Sequence, residues 1–413
     1  MEDVIRPLTG VKVVEMAQMV AVPAAGRFLA DMGAEVVKIE PPKGDGLRYA
    51  GPAEGRPAGQ DENTTWDFEN TGKKLISIDV RTPKGREILD KLLSEADILL
   101  TNWRPQALER HHLTYEDLKE KYPKLVYGTL NGYGDKGDDK ELPGYDFTAF
   151  FARGGWTGSF YQKGGYAPTW CPGLGDHQAC MVLSAGVLAA LHRAQATGQG
   201  EKVSISLMHC AIFMQAIPIQ ASQYYPNYGA QIYPIDRVNA SSPLIPGHTT
   251  KDGRFLQVTT PQWDVYFEKL MKTIGREDLI GDERYATVEG MDKHGTRAEM
   301  CRILDDAFAQ KTLAEWDPIL READLPYAPC QTWDEVLKDK QAWDTDCFYE
   351  MDYPRGPKTL IRTPVDLKET PLPPYNKAGY VGQHTAEVLK DLGYSDDDVK
   401  ELVDEKVAVC YEG

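Results

Sequence analysis

The sequence predicts an α/β protein built on an open, doubly wound parallel sheet. Short runs rich in Val, Ile and Leu alternate with amphipathic helical stretches, the order that a parallel sheet with crossover helices requires. Caps precede the helical stretches, and Pro or Gly ends the apolar runs. The first strand, helix and strand already imply a parallel pair joined by a right-handed crossover.

Each element has its own signal. "VKVVEMAQMV" (11–20) begins as a buried strand, and "AAGRFLADMG" (24–33) is a helix closing on Gly33. "AEVVKIEPP" (34–42) is a second strand, and "KLISIDV" (74–80) a third. "TPKGREILDKLLSEA" (82–96) is a helix with Thr82 as N-cap and Pro83 in its first turn. "DILLTNW" (97–103) is a strand, "TYEDLKEKYP" (114–123) a capped helix and "KLVYGTLNGYG" (124–134) a strand. "GLGDHQACMVLSAGVLAALHRA" (173–194) opens a long helix, apolar all round and therefore expected to be buried; "TGQGEKVSISL" (197–207) ends it and adds a strand. Residues 220–250, rich in Tyr, Pro, Asn and Ser, read as a crossing segment. "TTKDGRFLQVTT" (249–260) is a hairpin turning at Asp252-Gly253, followed by helices between 262 and 322. "ADLPYAPC" (323–330) marks an exit, and "HTAEVLKDLG" (384–393) is the last helix. The expected division is a large domain from 1–220 and 330–413, a small α+β domain at 240–325, and linkers at 221–239 and 326–329.

Composition narrows the functions. A chain of 413 residues, with 42% apolar and 26% charged residues, suits a soluble protein of about two domains. With 63 acidic against 46 basic residues the net charge is −17, so nucleic acid and membrane surfaces are not expected partners. No run is expected to reach the length of a membrane span, and the N-terminus lacks a signal peptide's apolar segment, so a cytoplasmic location is expected. Seven scattered cysteines without a C-x-x-C pair argue for reduced thiols. The histidines lack metal-ligand spacing, so no metal is expected.

Three common α/β chemistries fail on motif. No G-x-G-x-x-G follows the first strand, and "GLGDHQ" places Gln178 where the third glycine belongs. There is no G-x-x-x-x-G-K-[ST] and no G-x-S-x-G elbow. Glycine-rich pieces do occur at "KGDGLR" (43–48), "NGYGDKG" (131–137), "RGGWTG" (153–158) and "CPGLGDH" (171–177), three of them near strand ends. Basic residues near the same ends (Lys38, Lys43, Arg48, Lys73, Lys74, Arg104, Arg110) form a candidate set for a phosphorylated ligand. Asp176 precedes the apolar helix, where Asp is a preferred cap. Bare glycines on either side of Leu174 equally leave room for a substrate and free amides for an oxyanion, which suits a carboxylate nucleophile. Local sequence leaves both readings open.

The long motifs decide further. "PLTGVKVVEMAQMVAVPAAGRFLADMGAEVVKIEPPKGDGLR" (7–48), "NTGKKLISIDVRTPKGREILDKLLSEADILLTNWRPQALER" (70–110), "LNGYGDKG", the Asp176 stretch, "KDGRF" and "VGQHTAEVLKDLG" together resemble the family III CoA-transferases, across nearly the whole chain. That group includes formyl-CoA transferase and the 2-methylacyl-CoA racemases. "DENTTWDFENTGKK", "PGYDFTAFFARGG" and "READLPY" look most like its branch acting on 2-hydroxy acids, the 2-hydroxyisocaproate and phenyllactate CoA-transferases of amino-acid fermentation.

The resemblance implies that Asp176 attacks an acyl-CoA thioester and passes through a mixed anhydride to an aspartyl-CoA thioester, which a second carboxylate then opens. It implies CoA moving from a 2-enoyl-CoA to an (R)-2-hydroxy acid, with coenzyme A as substrate and no permanently bound cofactor. Asp146 would orient or polarise the nucleophile, and Gly175 would supply an oxyanion amide. Asn102, Trp103, Arg110, Lys74, Met19, Val20 and Lys136 would contact the CoA. The family fold implies a Rossmann-like domain made of N- and C-terminal parts, a smaller inserted α+β domain, and an interlocked homodimer. Gly144, Tyr145 and Asp146 stand where racemases carry a histidine, which argues against an epimerase. Val20, Val22 and Pro23, with "NASSPLIPGHTT" (239–250), depart from formyl-CoA transferase. Trp156, Phe160, Tyr161 and Trp170 are candidates for an acyl pocket, and residues 220–250 for specificity. The alternatives are an epimerase, a transferase for another carboxylate (carnitine, bile acid or dicarboxylate), and a non-catalytic acyl-CoA-binding protein.

Overall fold

The apolar run after Val11 forms β1 (Lys12–Met16), buried in all but its first residue, in a computed structural model that describes residues 4–57, 59–224, 233–240, 242–260 and 262–412. The runs that follow give β2 (Glu35–Glu40), β3 (Lys74–Ile78), β4 (Ile98–Thr101), β5 (Val126–Asn131) and β6 (Lys202–Ser206). Further on lie β7 (His248–Thr249), β8 (Phe255–Val258), β9 (Tyr327–Pro329), β10 (Phe348–Met351), β11 (Lys358–Ile361) and β12 (Ala408–Val409). The central sheet has the order β12-β3-β2-β1-β4-β5-β6. Every pairing in it is parallel except β12 against β3, so the expected mostly parallel α/β sheet is what forms.

The chain divides into two compact units. One comprises the residues up to Gly154, Trp170–Met214 and the segment from Lys340 onward; the other comprises Gly155–Thr169 and Gln215–Asp339. The second unit has a core of its own, with Trp263, Phe267, Met300, Phe308 and Trp316 among its buried residues. Its sheet is the antiparallel β7-β8-β9, and β7 and β8 form the expected hairpin, with Gly253 at φ +75°.

In the first unit Val14, Val37, Ile76 and Leu99 of four strands pack with Ile88 and Leu92 of the helix Pro83–Glu95. Thr82 caps that helix by accepting from the Gly85 amide at 3.0 Å. The helix expected at 114–123 is shorter, Tyr115–Leu118, although its capping box between Thr114 and Asp117 is present. The tail is sewn onto β3: the Leu75 amide donates to His384 Nδ1 and the Ser77 amide to Thr385 Oγ1, both at 2.9 Å.

The helix Leu174–Thr197 packs on the helix Ala21–Asp31 and on β5 and β6 through Ala179, Leu183, Val187 and Leu191. Two expectations change here. With 24 residues it is long and apolar enough to cross a bilayer, unlike any run anticipated from the sequence. It is also not buried all round, because Met181 on another face is 38% exposed. Its apolar character serves the core on one side and leaves the other uncovered in the single chain.

The charged residues depart most from expectation. Lys38, Arg48 and Lys73 do not face a ligand; all three are buried within the first unit. Lys38 Nζ lies 2.9 Å from Glu15 and 3.0 Å from Asp45, Lys73 Nζ lies 2.8 Å from Glu15, and Arg48 pairs with Glu40 at 2.7 Å. Gly26 is the residue that lets Glu15 in, since a Cβ there would lie 2.0 Å from Glu15 Oε2. Burial outweighs Glu15 at Lys73 and, with repulsion from Lys38, lowers that ammonium to about 8. Lys38, with three carboxylates around it, is held above its ordinary value despite burial. Breaking such a set leaves a bare buried charge, so Glu15→Gln should cost about 3–5 kcal/mol in urea unfolding followed by circular dichroism. A loss below about 1 kcal/mol would show that water or repacking replaces the missing charge.

Candidate active site

The first turn of the helix Leu174–Thr197 sets the geometry. Gly173, at φ +82°, occupies the N-cap position, and no side chain caps the helix. Asp176 is the third helical residue, so it is not the cap that the sequence allowed. The residue that secures this start is Asp146, whose Oδ2 accepts from the Gly173 amide and Oδ1 from the Phe147 amide, each at 2.8 Å. The bareness of Gly175 also has a different reason from the room for a substrate that was expected. A Cβ on it would lie 2.6 Å from the Phe150 ring, so its bareness admits that ring rather than a substrate.

Asp176 opens onto a cavity of about 320 Å³ in the first unit, at the C-terminal ends of the parallel strands. Gln18, Met19 and Val20 form one wall; Asn102, Trp103 and Arg104 form another; Asn131 and Gly132 follow β5, with Lys140, Gly144 and Tyr145 beyond. Met19 adopts φ +67°, unusual for a residue other than glycine, and four bonds hold the loop there. Lys38 donates to the Ala17 carbonyl at 2.7 Å, and the Met19 amide donates to Asp45 at 3.0 Å. Asn102 accepts from the Gln18 amide at 3.1 Å and donates to the Gln18 carbonyl at 2.7 Å. Gly132 and Gly144 meet backbone to backbone, a Cβ on Gly144 falling 2.7 Å from Gly132 Cα.

Of the expected contacts, Met19, Val20, Asn102 and Trp103 therefore gather around Asp176, with the amide of Asn102 spent on the loop. Lys74 does not join them. It starts β3, on the opposite edge of the parallel sheet, and pairs with Glu387 at 3.1 Å. Arg110 and Lys136 are exposed and outside the cavity wall, where Arg104 and Lys140 stand instead. Trp170 stacks on Phe151 at 5.0 Å, while Trp156 packs on Phe160 and Phe160 on Tyr233; none lines this cavity, and neither does Tyr161. Part of the 220–250 segment lies outside the described residues.

A second cavity, of about 380 Å³, shares Gln18, Trp103 and Arg104 with the first and continues along Ile39, Pro41, Ile78 and Arg81. Both lie where an open α/β sheet places its ligand. Among the described residues no cluster of His, Cys, Asp and Glu has the makings of a metal site.

Burial pushes the Asp176 carboxyl up to about 7, and repulsion from Asp146 and then Glu69 adds to it, against the opposing pull of His177. Burial also raises Asp146, although two backbone amides work against that. His177 Nε2 lies 2.9 Å from Oε1 of Glu69, a residue of the helix Thr64–Asn70. Burial is the largest influence and disfavours the imidazolium, but the Glu69 bond and the charges of Glu69 and Asp176 together outweigh it, and the histidine is raised. The pair was invisible in the sequence because its members are 108 positions apart.

A family model for CoA-transferase family III matches residues 8–385. The chain belongs to that family. It is 51% identical over 98% of its length to the cinnamoyl-CoA:phenyllactate CoA-transferase of Clostridium sporogenes, covering 98% of that enzyme. It is 43% identical to the (R)-2-hydroxy-4-methylpentanoate CoA-transferase of Clostridioides difficile, over 97% of this chain and 99% of that one. A crystal structure of a CAIB/BAIF family protein from Brucella suis superposes with a TM-score of 0.77 at 27% identity, covering 94% of this chain and 99% of that one. The protein is a family III CoA-transferase by both measures, as the sequence motifs implied.

In this CoA-transferase the Asp176 carboxyl should titrate near 7 by carbon-13 NMR of labelled aspartate, assigned by the loss of its signal in Asp176→Asn. Asp146→Asn removes the nearest repulsion, so the midpoint should fall by about one pH unit while burial keeps it above 4. An unchanged midpoint would show that Asp146 acts only through its backbone bonds.

Proposed function

We propose that the chain moves CoA from a 2-enoyl-CoA to an (R)-2-hydroxy acid, with Asp176 as the covalent nucleophile. The observation that carries this is a carboxylate in the first turn of a helix packed on the sheet, opening onto a cavity at the sheet's ligand-binding edge. The names of the two similar clostridial enzymes support the substrate class, phenyllactate in one and 2-hydroxy-4-methylpentanoate in the other.

The steps balance without a redox partner. An Asp176 oxygen attacks the thioester carbonyl, the C–S bond breaks, and CoA leaves as thiolate with a mixed anhydride behind it. The thiolate then attacks the aspartyl carbonyl and expels the donor acid, leaving aspartyl-CoA thioester. The acceptor carboxylate attacks that thioester, and the released thiolate opens the second anhydride at the acceptor's carbonyl, restoring Asp176. Amides in the helix's first turn have no partner four residues back and suit the oxyanions formed on the way. The adjoining cavity, with Trp103, Arg81 and Arg104 on its wall, suits the CoA nucleotide.

Nothing at the site favours an epimerase. The histidine that racemases carry beside the aspartate of this segment has no counterpart in Gly144, Tyr145 and Asp146. Exposed Met181, Ile212, Phe213 and Met214, on the helices Leu174–Thr197 and Leu207–Met214, support a homodimer that covers them. Seven free cysteines suit a reducing, cytoplasmic setting.

Incubation with cinnamoyl-CoA, followed by hydroxylamine or borohydride, should give an adduct at Asp176 detectable by peptide mass spectrometry. Asp176→Ala should lower transfer to phenyllactate by at least about a thousandfold. Retained transfer in that variant, or a wild-type protein without adduct, would end the covalent reading.

A further inference from the structure

His177 stands next to the nucleophile and is unaccounted for by the transfer steps. Its ring is held on two sides and lies close over Gly173. Nε2 meets Glu69 at 2.9 Å, the Phe68 ring meets it edge-on at 5.4 Å and 83°, and a Cβ on Gly173 would touch Cε1 at 3.4 Å. Glu69 is 1% exposed, and its Oε2 has no hydrogen-bond partner among the described residues. A buried carboxylate with one filled oxygen favours a cation at that oxygen, and the imidazole is what it holds.

The charges facing this spot are otherwise mixed. Asp176 faces Asp146 and Glu69, both acidic, and His177. His177 faces Glu69 and Asp176, with Arg27 of the helix Ala21–Asp31 as an opposing cation. Lys73, also near Glu69, is committed to Glu15 at 2.8 Å. Of the charged side chains acting on Asp176 among the described residues, His177 is the one that favours its carboxylate.

We infer that His177, held as an imidazolium by Glu69, is a positioning residue that keeps Asp176 ionised for attack. It does not line the cavity and so touches neither thioester nor acceptor. Its side chain is 42% exposed, which screens the interaction and limits its size. The inference rests on Asp176 being the nucleophile, but its first readout does not depend on activity.

The test is His177→Gln in the full chain. The Asp176 carboxyl, followed by carbon-13 NMR, should titrate about one pH unit higher than in wild type. A rise of that size lowers kcat/KM for cinnamoyl-CoA about tenfold at pH 6, yet leaves it within about twofold of wild type at pH 9. An unmoved midpoint, or a loss equal at both pH values, would overturn the inference, because a purely structural defect does not depend on pH. Glu69→Gln provides a check that survives weak folding of the first variant: the His177 ring should titrate at lower pH than in wild type, and an unchanged ring would overturn the role given to Glu69. A shifted Asp176 midpoint in a protein that forms no adduct would uphold the ionic coupling and dismiss the nucleophile.

Discussion

The site depends on an ion cluster that the solvent never reaches. Glu15 in β1 pairs with Lys38 from β2 and with Lys73 just before β3, and Lys38 also pairs with Asp45. Buried ions are costly unless their remaining hydrogen-bonding capacity is used, and here it is spent on the loop after β1. Lys38 takes the Ala17 carbonyl and Asp45 takes the Met19 amide. Met19 can then stay in a backbone conformation that a side chain disfavours. The cavity wall is therefore an extension of the sheet's interior charges, and Asn102 completes it from β4 by bonding both polar groups of the Gln18 backbone.

The same burial sets the problem that Asp176 has to solve. A carboxylate placed at a helix start gains from the aligned peptide dipoles. At this start the desolvation is larger, and Asp146 and Glu69 both add negative charge. Asp176 is thus poised near neutrality rather than fully ionised. A higher-pKa carboxylate is the stronger nucleophile once deprotonated, so the cost in ionised fraction is offset in part by reactivity. Asp146 has a second, structural demand on it, since it closes the backbone at Gly173 and Phe147. The position and the ionisation of Asp176 are consequently both linked to Asp146.

Much of the fold was legible because its signals are local. Val- and Ile-rich runs became the parallel strands, Thr82 capped its helix, and Asp252-Gly253 turned the hairpin. Asp176 was legible as a place but not as a role, since local chemistry suits a cap and only the longer motifs pointed to a nucleophile. What stayed hidden was partnership across the chain. Lys38, Arg48 and Lys73 read as candidate cations for a phosphorylated ligand, because a sequence does not show that Glu15 and Glu40 meet them in the interior. Lys74 is one residue from Lys73, yet the chain's alternation turns it to the other face toward Glu387.

The glycines make the same point about direction. In the sequence, Gly175 beside an acidic residue suggests space for a ligand. In the fold, that space belongs to Phe150, and the open side of Asp176 is created instead by two glycines from other segments, Gly132 and Gly144. Their contact brings the end of β5 against the Pro143–Asp146 segment, and Asp146 is then within reach of Gly173. A side chain at either glycine would push that segment away and move Asp146 off the helix start. The requirement for glycine at 144 and 132 thus reaches Asp176 indirectly, by holding Asp146 where it closes the helix start.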